Sequence, residues 1–135
     1  NNDHILNIAN KIESHYADSE YEIFAMGDMA GKVSYLLDKK LIQLEGLVGG
    51  KKVLNKIQKQ EKLCNLFSEF NVDIYFTTKI NKSGDLYYIE EPAQKSTNVK
   101  KMKDILIIKP EKTFHSADLN VYAFNLKNNK FFFYN

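Results

Sequence analysis

The sequence predicts an α/β fold: a Rossmann-like three-layer sandwich with a mixed sheet, parallel in its N-terminal part and finished by antiparallel C-terminal hairpins. Three observations carry this reading. Helix-periodic segments and short apolar runs alternate from Asp3 to Thr77, the pattern of parallel strands joined by helical crossovers. Five of the six glycines, Gly27, Gly31, Gly46, Gly49 and Gly50, lie between Ala25 and Gly50, where apolar runs end and the chain must bend. Beyond Thr77 the apolar runs are short, rich in aromatic residues and separated by turn residues, as in hairpins.

Taken in order, Asp3 is placed to cap a first helix, on which Ile5, Ile8, Ala9, Ile12 and Tyr16 recur at helical spacing until "ADSE" ends it. Tyr21–Met26 reads as a buried strand closed by Gly27. A helix over Met29–Leu37 presents Val33, Leu36 and Leu37 on one face, and Lys39 and Lys40 suit its carbonyl-rich end. Leu41–Leu44 is a second strand, ended by "EGLVGG". Lys51–Phe70 carries two apolar stripes, fitting one bent helix or two in succession. Val72–Thr77 is the clearest strand, "NKSGD" a turn, and Leu86–Ile89 the returning strand of a hairpin. Glu91–Met102 lacks an apolar period and contains Pro92, so it reads as a loop. Ile105–Ile108 is a strand stopped by Pro110. Leu119–Leu126 and Phe131–Tyr134 pair around "KNNK".

At 135 residues the chain reads as one α/β domain spanning 1–135, able to bury a core without disulfides. All nineteen basic residues are lysine. The lack of arginine, the usual bidentate reader of phosphates and base edges, argues against nucleic acid, as does a net charge of only +2. Cys64 is alone, so neither a disulfide nor a multi-cysteine zinc site exists within the chain, and a packed thiol is its expected state. His4, His15 and His115 lack metal-ligand spacing, so no metal and no cofactor are expected. No apolar run approaches the roughly 18 residues of a membrane span. The start at Asn1 fits a domain excised from a longer protein.

The glycine-rich stretch offers two phosphate-binding patterns, and neither is complete. "MGDMAGKV" has Gly31-Lys32 but puts Met26 at the first glycine and Val33 at the hydroxyl position of a phosphate loop, which therefore lacks its magnesium ligand. As a dinucleotide fingerprint it offers Gly27 and Gly31 rather than three glycines, and Asp28 would repel a phosphate from the helix N-terminus. A tight turn with a helix cap accounts for it more simply. One geometric consequence survives: if the first two strands are parallel, Asp28 and Glu45 lie at the same carboxyl end of the sheet, where α/β folds place ligands.

"GDMAGKVSYLL", "LIQLEGLVGG" and "FNVDIYFTT" together resemble the C-terminal soluble region of polytopic bacterial membrane glycosyltransferases, of the dolichyl-phosphate-mannose mannosyltransferase-like kind. The matching residues are Gly31 and Tyr35, then Leu44–Val48, then Val72, Asp73 and Tyr75, and the likeness covers Tyr21–Thr78. Glu45 stands where aspartate is more usual, and Gly49 where asparagine often follows. The resemblance implies an extracytoplasmic domain tethered by the parent's transmembrane helices at the bacterial membrane. It would be without turnover of its own and would cap the membrane cavity or position a lipid-linked sugar or glycan acceptor. The expected ligand-binding residues are Gly27, Asp28, Gly31, Tyr35, Glu45 and Gly46, with no catalytic residue. Alternatives are a free-standing cytosolic nucleotide-binding enzyme and a protein-interaction module using the aromatic C-terminal hairpin. "HSAD", His115–Asp118, has triad-like residue types but reads as a turn before a strand, since consecutive residues do not converge. The lysine-rich Gln94–Lys103 could touch anionic headgroups, and Tyr87 and Tyr88 belong to an aromatic strand that packs in the core or stacks on sugar.

Overall fold

The computed structural model describes residues 2–44, 62–91 and 101–128. α1 (Asn2–Tyr16) buries Ile8, Ala9, Ile12 and Tyr16, an apolar stripe at helical spacing. β1 (Ile23–Met26) follows, then α2 (Ala30–Leu36) with Ala30 and Val33 buried, and β2 (Lys40–Gln43). α3 (Leu63–Glu69) buries Leu63, Leu66 and Phe67 and leads to β3 (Ile74–Thr77), whose four residues are all buried. The remainder is β4 (Asn81–Ser83), β5 (Leu86–Glu91), β6 (Met102–Leu106), β7 (Lys112–Ser116) and β8 (Leu119–Asn125).

These strands form a five-stranded mixed sheet in the order β2-β1-β3-β8-β7 and a separate three-stranded antiparallel sheet, β4-β5-β6. β1 is parallel to β2 (Met26 opposite Gln43) and to β3 (Met26 opposite Phe76), as the sequence predicts for its N-terminal part. β8 runs antiparallel to β3, and β7 to β8. The three-stranded sheet is a correction: the hairpin after Thr77 does not extend the main sheet at an edge but forms its own. Alternation along β1 and β3 splits the interior in two. Phe24, Met26, Ile74 and Phe76 pack with α1 and α2, while Ala25 and Tyr75 pack with α3 and with Tyr87, Ile89, Met102 and Leu106 of the smaller sheet. Phe24 and Phe76 stack with centroids 5.8 Å apart, and Tyr16 meets both edge-on, at 5.6 and 5.5 Å. Such pairs add about 0.5–1.5 kcal/mol each beyond burial.

Several local expectations change. Lys39 does not serve the end of α2. Its Nζ donates to the carbonyls of Tyr16 (3.0 Å), Ser19 (3.0 Å) and Tyr21 (2.5 Å), closing the end of α1 and the turn after it. Asn81–Ser83 is a strand, and the turn is Gly84-Asp85 alone, with Gly84 at φ 58. His115 and Ser116 end β7, a strand the sequence did not announce. Only Ala117-Asp118 turns, joining Ser116 to Leu119. α3 has no side-chain cap of its own: Asp104 of β6 accepts the Cys64 backbone N–H at 2.9 Å instead. Asp73 accepts the backbone N–H groups of Glu22 (2.8 Å) and Ile23 (3.1 Å), locking β1 beside β3 at their amino ends. The helical expectation over 51–61, the body of the loop over 92–100 and the strand Phe131–Tyr134 lie outside the described residues, as does residue 45 onward to 61.

Candidate functional site at the carboxyl ends of the parallel strands

The strand order fixes where a crevice opens. The chain leaves β1 through α2 to reach β2 on one side, and reaches β3 on the other side through α3. α2 and α3 lie with opposite interior clusters, so the connections diverge between β1 and β3. That is a topological switch point, where open α/β sheets leave a gap at the strands' carboxyl ends.

Asp28, just after β1, and Thr78, just after β3, face each other across this point, and the Thr78 hydroxyl donates to Asp28 Oδ2 at 3.2 Å. Asp28 is 9% exposed. It does not cap α2: the cap position is Met29, at φ 69 and with no side-chain hydrogen bond, while the Ala30 N–H returns to the Gly27 carbonyl at 3.2 Å. The carboxylate is thus turned away from the helix and toward the neighbouring strand.

A cleft of about 460 Å³ opens there, lined by His4, Ile5, Asp28, Met29, Thr78 and Ser116 to Leu119. It lies within the range of small-ligand pockets. Its far wall is the β7–β8 turn and the first turns of α1. The Ser116 hydroxyl lies 2.8 Å from His4 Nδ1 and accepts from Asn7 Nδ2 at 3.0 Å, tying α1 to β7. Two of the three non-glycine residues with positive φ among those described, Met29 (69°) and Ala117 (53°), border this cleft. For residues with a Cβ that conformation costs about 1 kcal/mol or more. Among the described residues no lysine lines the cleft, while Asp28 and Asp118 do, so it is acidic in a lysine-rich chain.

Beneath the β1 end sits a second carboxylate. Glu91, 1% exposed, closes β5 and accepts the Tyr75 hydroxyl on Oε1 at 2.6 Å. Burial, with Glu91 alongside, raises the Tyr75 hydroxyl well above its usual range, so it stays a donor. Gly27 exists for this carboxylate: a Cβ there would fall 2.0 Å from Glu91 Oε2.

The residues expected to bind ligand therefore separate. Gly27 and Asp28 are at the switch point, Gly27 buried under Glu91 and Asp28 on the cleft. Gly31 and Tyr35 lie on α2 and line a different groove of about 590 Å³ with Leu6 and Met29, where Tyr35 is 88% exposed. Glu45 and Gly46 lie outside the described residues. The crevice is bounded by β1 and β3, with Thr78 as the facing residue of Asp28. Thr78 carries no local signal, and His4 and the Ser116 and Asp118 of "HSAD", read separately as a non-ligand and as a turn, are brought together here across a His4–Ser116 separation of 112 positions that no local pattern carries. Among the described residues no group of three or more His, Cys, Asp and Glu side chains is arranged to hold a metal, and no helix is long and apolar enough to cross a membrane. Cys64 is half-buried, and desolvation with the Asp104 carboxylate nearby pushes its thiol up to about 11, far from a nucleophile's range.

Compared with protein-family models, curated proteins and solved structures, the chain matches none.

Proposed function

We propose that this chain is an extracytoplasmic accessory domain of a membrane glycosyltransferase-like protein. It is tethered by the parent's transmembrane helices, takes no part in sugar transfer itself, and positions a lipid-linked sugar or glycan acceptor. In this reading the two-sided mixed sheet is a Rossmann-like three-layer sandwich. The observation that carries it is the cleft at the β1/β3 switch point, floored by the Asp28–Thr78 pair. A carboxylate with hydroxyl and imidazole neighbours is suited to the hydroxyl donors of a sugar. Its two aspartates, with no lysine among the described lining residues, disfavour a nucleotide phosphate, which speaks against the free-standing nucleotide enzyme. The likeness of "LIQLEGLVGG" to the membrane enzymes supplies the parent. The exposed Leu6–Tyr35 groove supports an additional contact with the parent or its membrane, since apolar patches and interfacial tyrosines mark such surfaces.

The test is an NMR titration of the domain with hexoses and disaccharides, beside a nucleotide control. Sugar is expected to shift the amides of residues 28, 78 and 116–119. Asp28→Ala is expected to weaken binding about tenfold or more, the worth of a hydrogen bond to a charged acceptor. Nucleotide binding at the cleft, or sugar shifts confined elsewhere, would remove the reading.

A further inference from the structure

Two side chains of the cleft, His4 and Ser116, also face each other directly, a relation that sugar positioning does not call for. Ser116 ends β7 at the mouth of a strained two-residue turn, and His4 projects to it from the first turn of α1. Asn7 Nδ2 already donates to the Ser116 oxygen. In the tautomer that carries its proton on Nε2, His4 Nδ1 accepts the Ser116 hydroxyl proton across 2.8 Å, with the imidazole as acceptor and the serine as donor. That is the relation of an activated nucleophile to its general base.

We propose that Ser116 is a nucleophile activated by His4, and that the cleft takes neutral acyl esters of hydroxylated compounds. Asp28 and Asp118 exclude phosphate esters, while Ile5, Met29 and Leu119 line the space with apolar surface fit for a short acyl chain. In the first step the Ser116 oxygen bonds to the ester carbonyl carbon and its proton passes to His4 Nδ1. The carbon–oxygen bond to the alcohol then breaks, and the alcohol leaves with that proton. Water attacks the acyl-serine, gives a proton to His4, and the carboxylic acid departs as Ser116 regains its hydrogen. Nothing is oxidised or reduced. The first N–H groups of α1 have no acceptor within the helix, and its opening residues His4 and Ile5 border the cleft. Donors of this kind stabilise a developing oxyanion. The alcohol half of the ester rests on the sugar-positioning reading; the nucleophile does not.

The experiment treats the protein with a fluorophosphonate and reads intact mass and the modified peptide, with 4-nitrophenyl acetate as a turnover probe. Ser116 is expected to be modified, Ser116→Ala to abolish this, and His4→Gln to slow it about 100-fold, the usual worth of a positioned base. Ser14→Ala, an exposed serine on α1, is expected to change nothing. Thermal melts of each variant establish folding. Modification at another residue, none at all, or equal rates with and without His4 in folded protein would overturn the proposal. Sugar binding without modification of Ser116 defeats this inference and spares the accessory role; modification without sugar binding does the reverse.

Discussion

At the scale of single residues, backbone strain and close approach give the sharpest expectations. Gly84 and Ala117 occupy the same place, the first residue of a two-residue hairpin turn, at φ 58 and 53. Positive φ at that residue alone is the type II′ pattern, which glycine adopts freely and alanine does not. Ala117→Gly is therefore expected to raise stability by about 0.5–1 kcal/mol in urea titrations, part of the strain relief being offset by glycine's greater freedom when unfolded. A decrease would show that the turn is not strained. The tight turn at Gly27 was legible in the sequence; its reason was not. The residue that excludes a side chain there is Glu91, delivered by another sheet, and no local pattern encodes that approach. Asp28 was legible as a crevice acid because it follows an apolar run and a glycine. Its facing residue was not, since Thr78 is fifty positions away.

Elements are held at their ends by side chains from other elements. α1 ends on Lys39, α3 begins on Asp104, and β1 begins on Asp73. Lys39→Met keeps an apolar stem and removes the ammonium, with its three carbonyl contacts and its place 5.7 Å from the Phe24 ring centroid. Hydrogen bonds to a charged group are worth about 1.5–3 kcal/mol, so the loss expected is about 1–3 kcal/mol. It should appear as a lower urea midpoint at unchanged slope, with faster amide exchange over residues 17–21. An unaltered midpoint would mean that water replaces the ammonium at no cost. β1, β2 and β3 were readable because each is a short apolar run between turn or helix signals. β4 was not, because Asn81, Lys82 and Ser83 are polar and exposed, so neither alternation nor apolarity marks them. β7 was hidden in the same way by Lys112, Thr113 and His115, with Phe114 and Ser116 alone facing inward.

At the scale of the whole molecule, three protons among the described residues are held more tightly when folded than when unfolded. Burial, with Glu111 bonded to it, raises the Tyr16 hydroxyl; burial, with Glu91 alongside, raises that of Tyr75; burial, with Asp104 alongside, takes Cys64 from 9.0 to about 11. A raised native-state value contributes stability that is complete below the unfolded value and lost as pH climbs through the folded one. Stability is therefore expected to hold up to about pH 9, to decline first through Cys64, and to fall more steeply above pH 10 as the unfolded tyrosines ionise. Urea midpoints from pH 7 to 11 measure this, and Cys64→Ala should delay the onset; a flat profile would contradict it. The parallel beginning of the sheet was legible from helix and strand alternation. The division into two sheets was not, because β5 carries the same alternation whether it joins the first sheet or pairs with β4 and β6. The choice is made by tertiary packing of Tyr87 and Ile89 against the far side of β3.

The pairing of His4 with Ser116 joins the opening of the first helix to the turn before the last described strand. The two walls of the cleft thus come from nearly opposite ends of the described chain, and neither half of the polypeptide can build it unaided. A small molecule that lodges there would be a reporter of finished assembly, silent toward partly folded or clipped forms. Its occupancy would also fasten the two ends together, so protection from proteases should rise with ligand concentration.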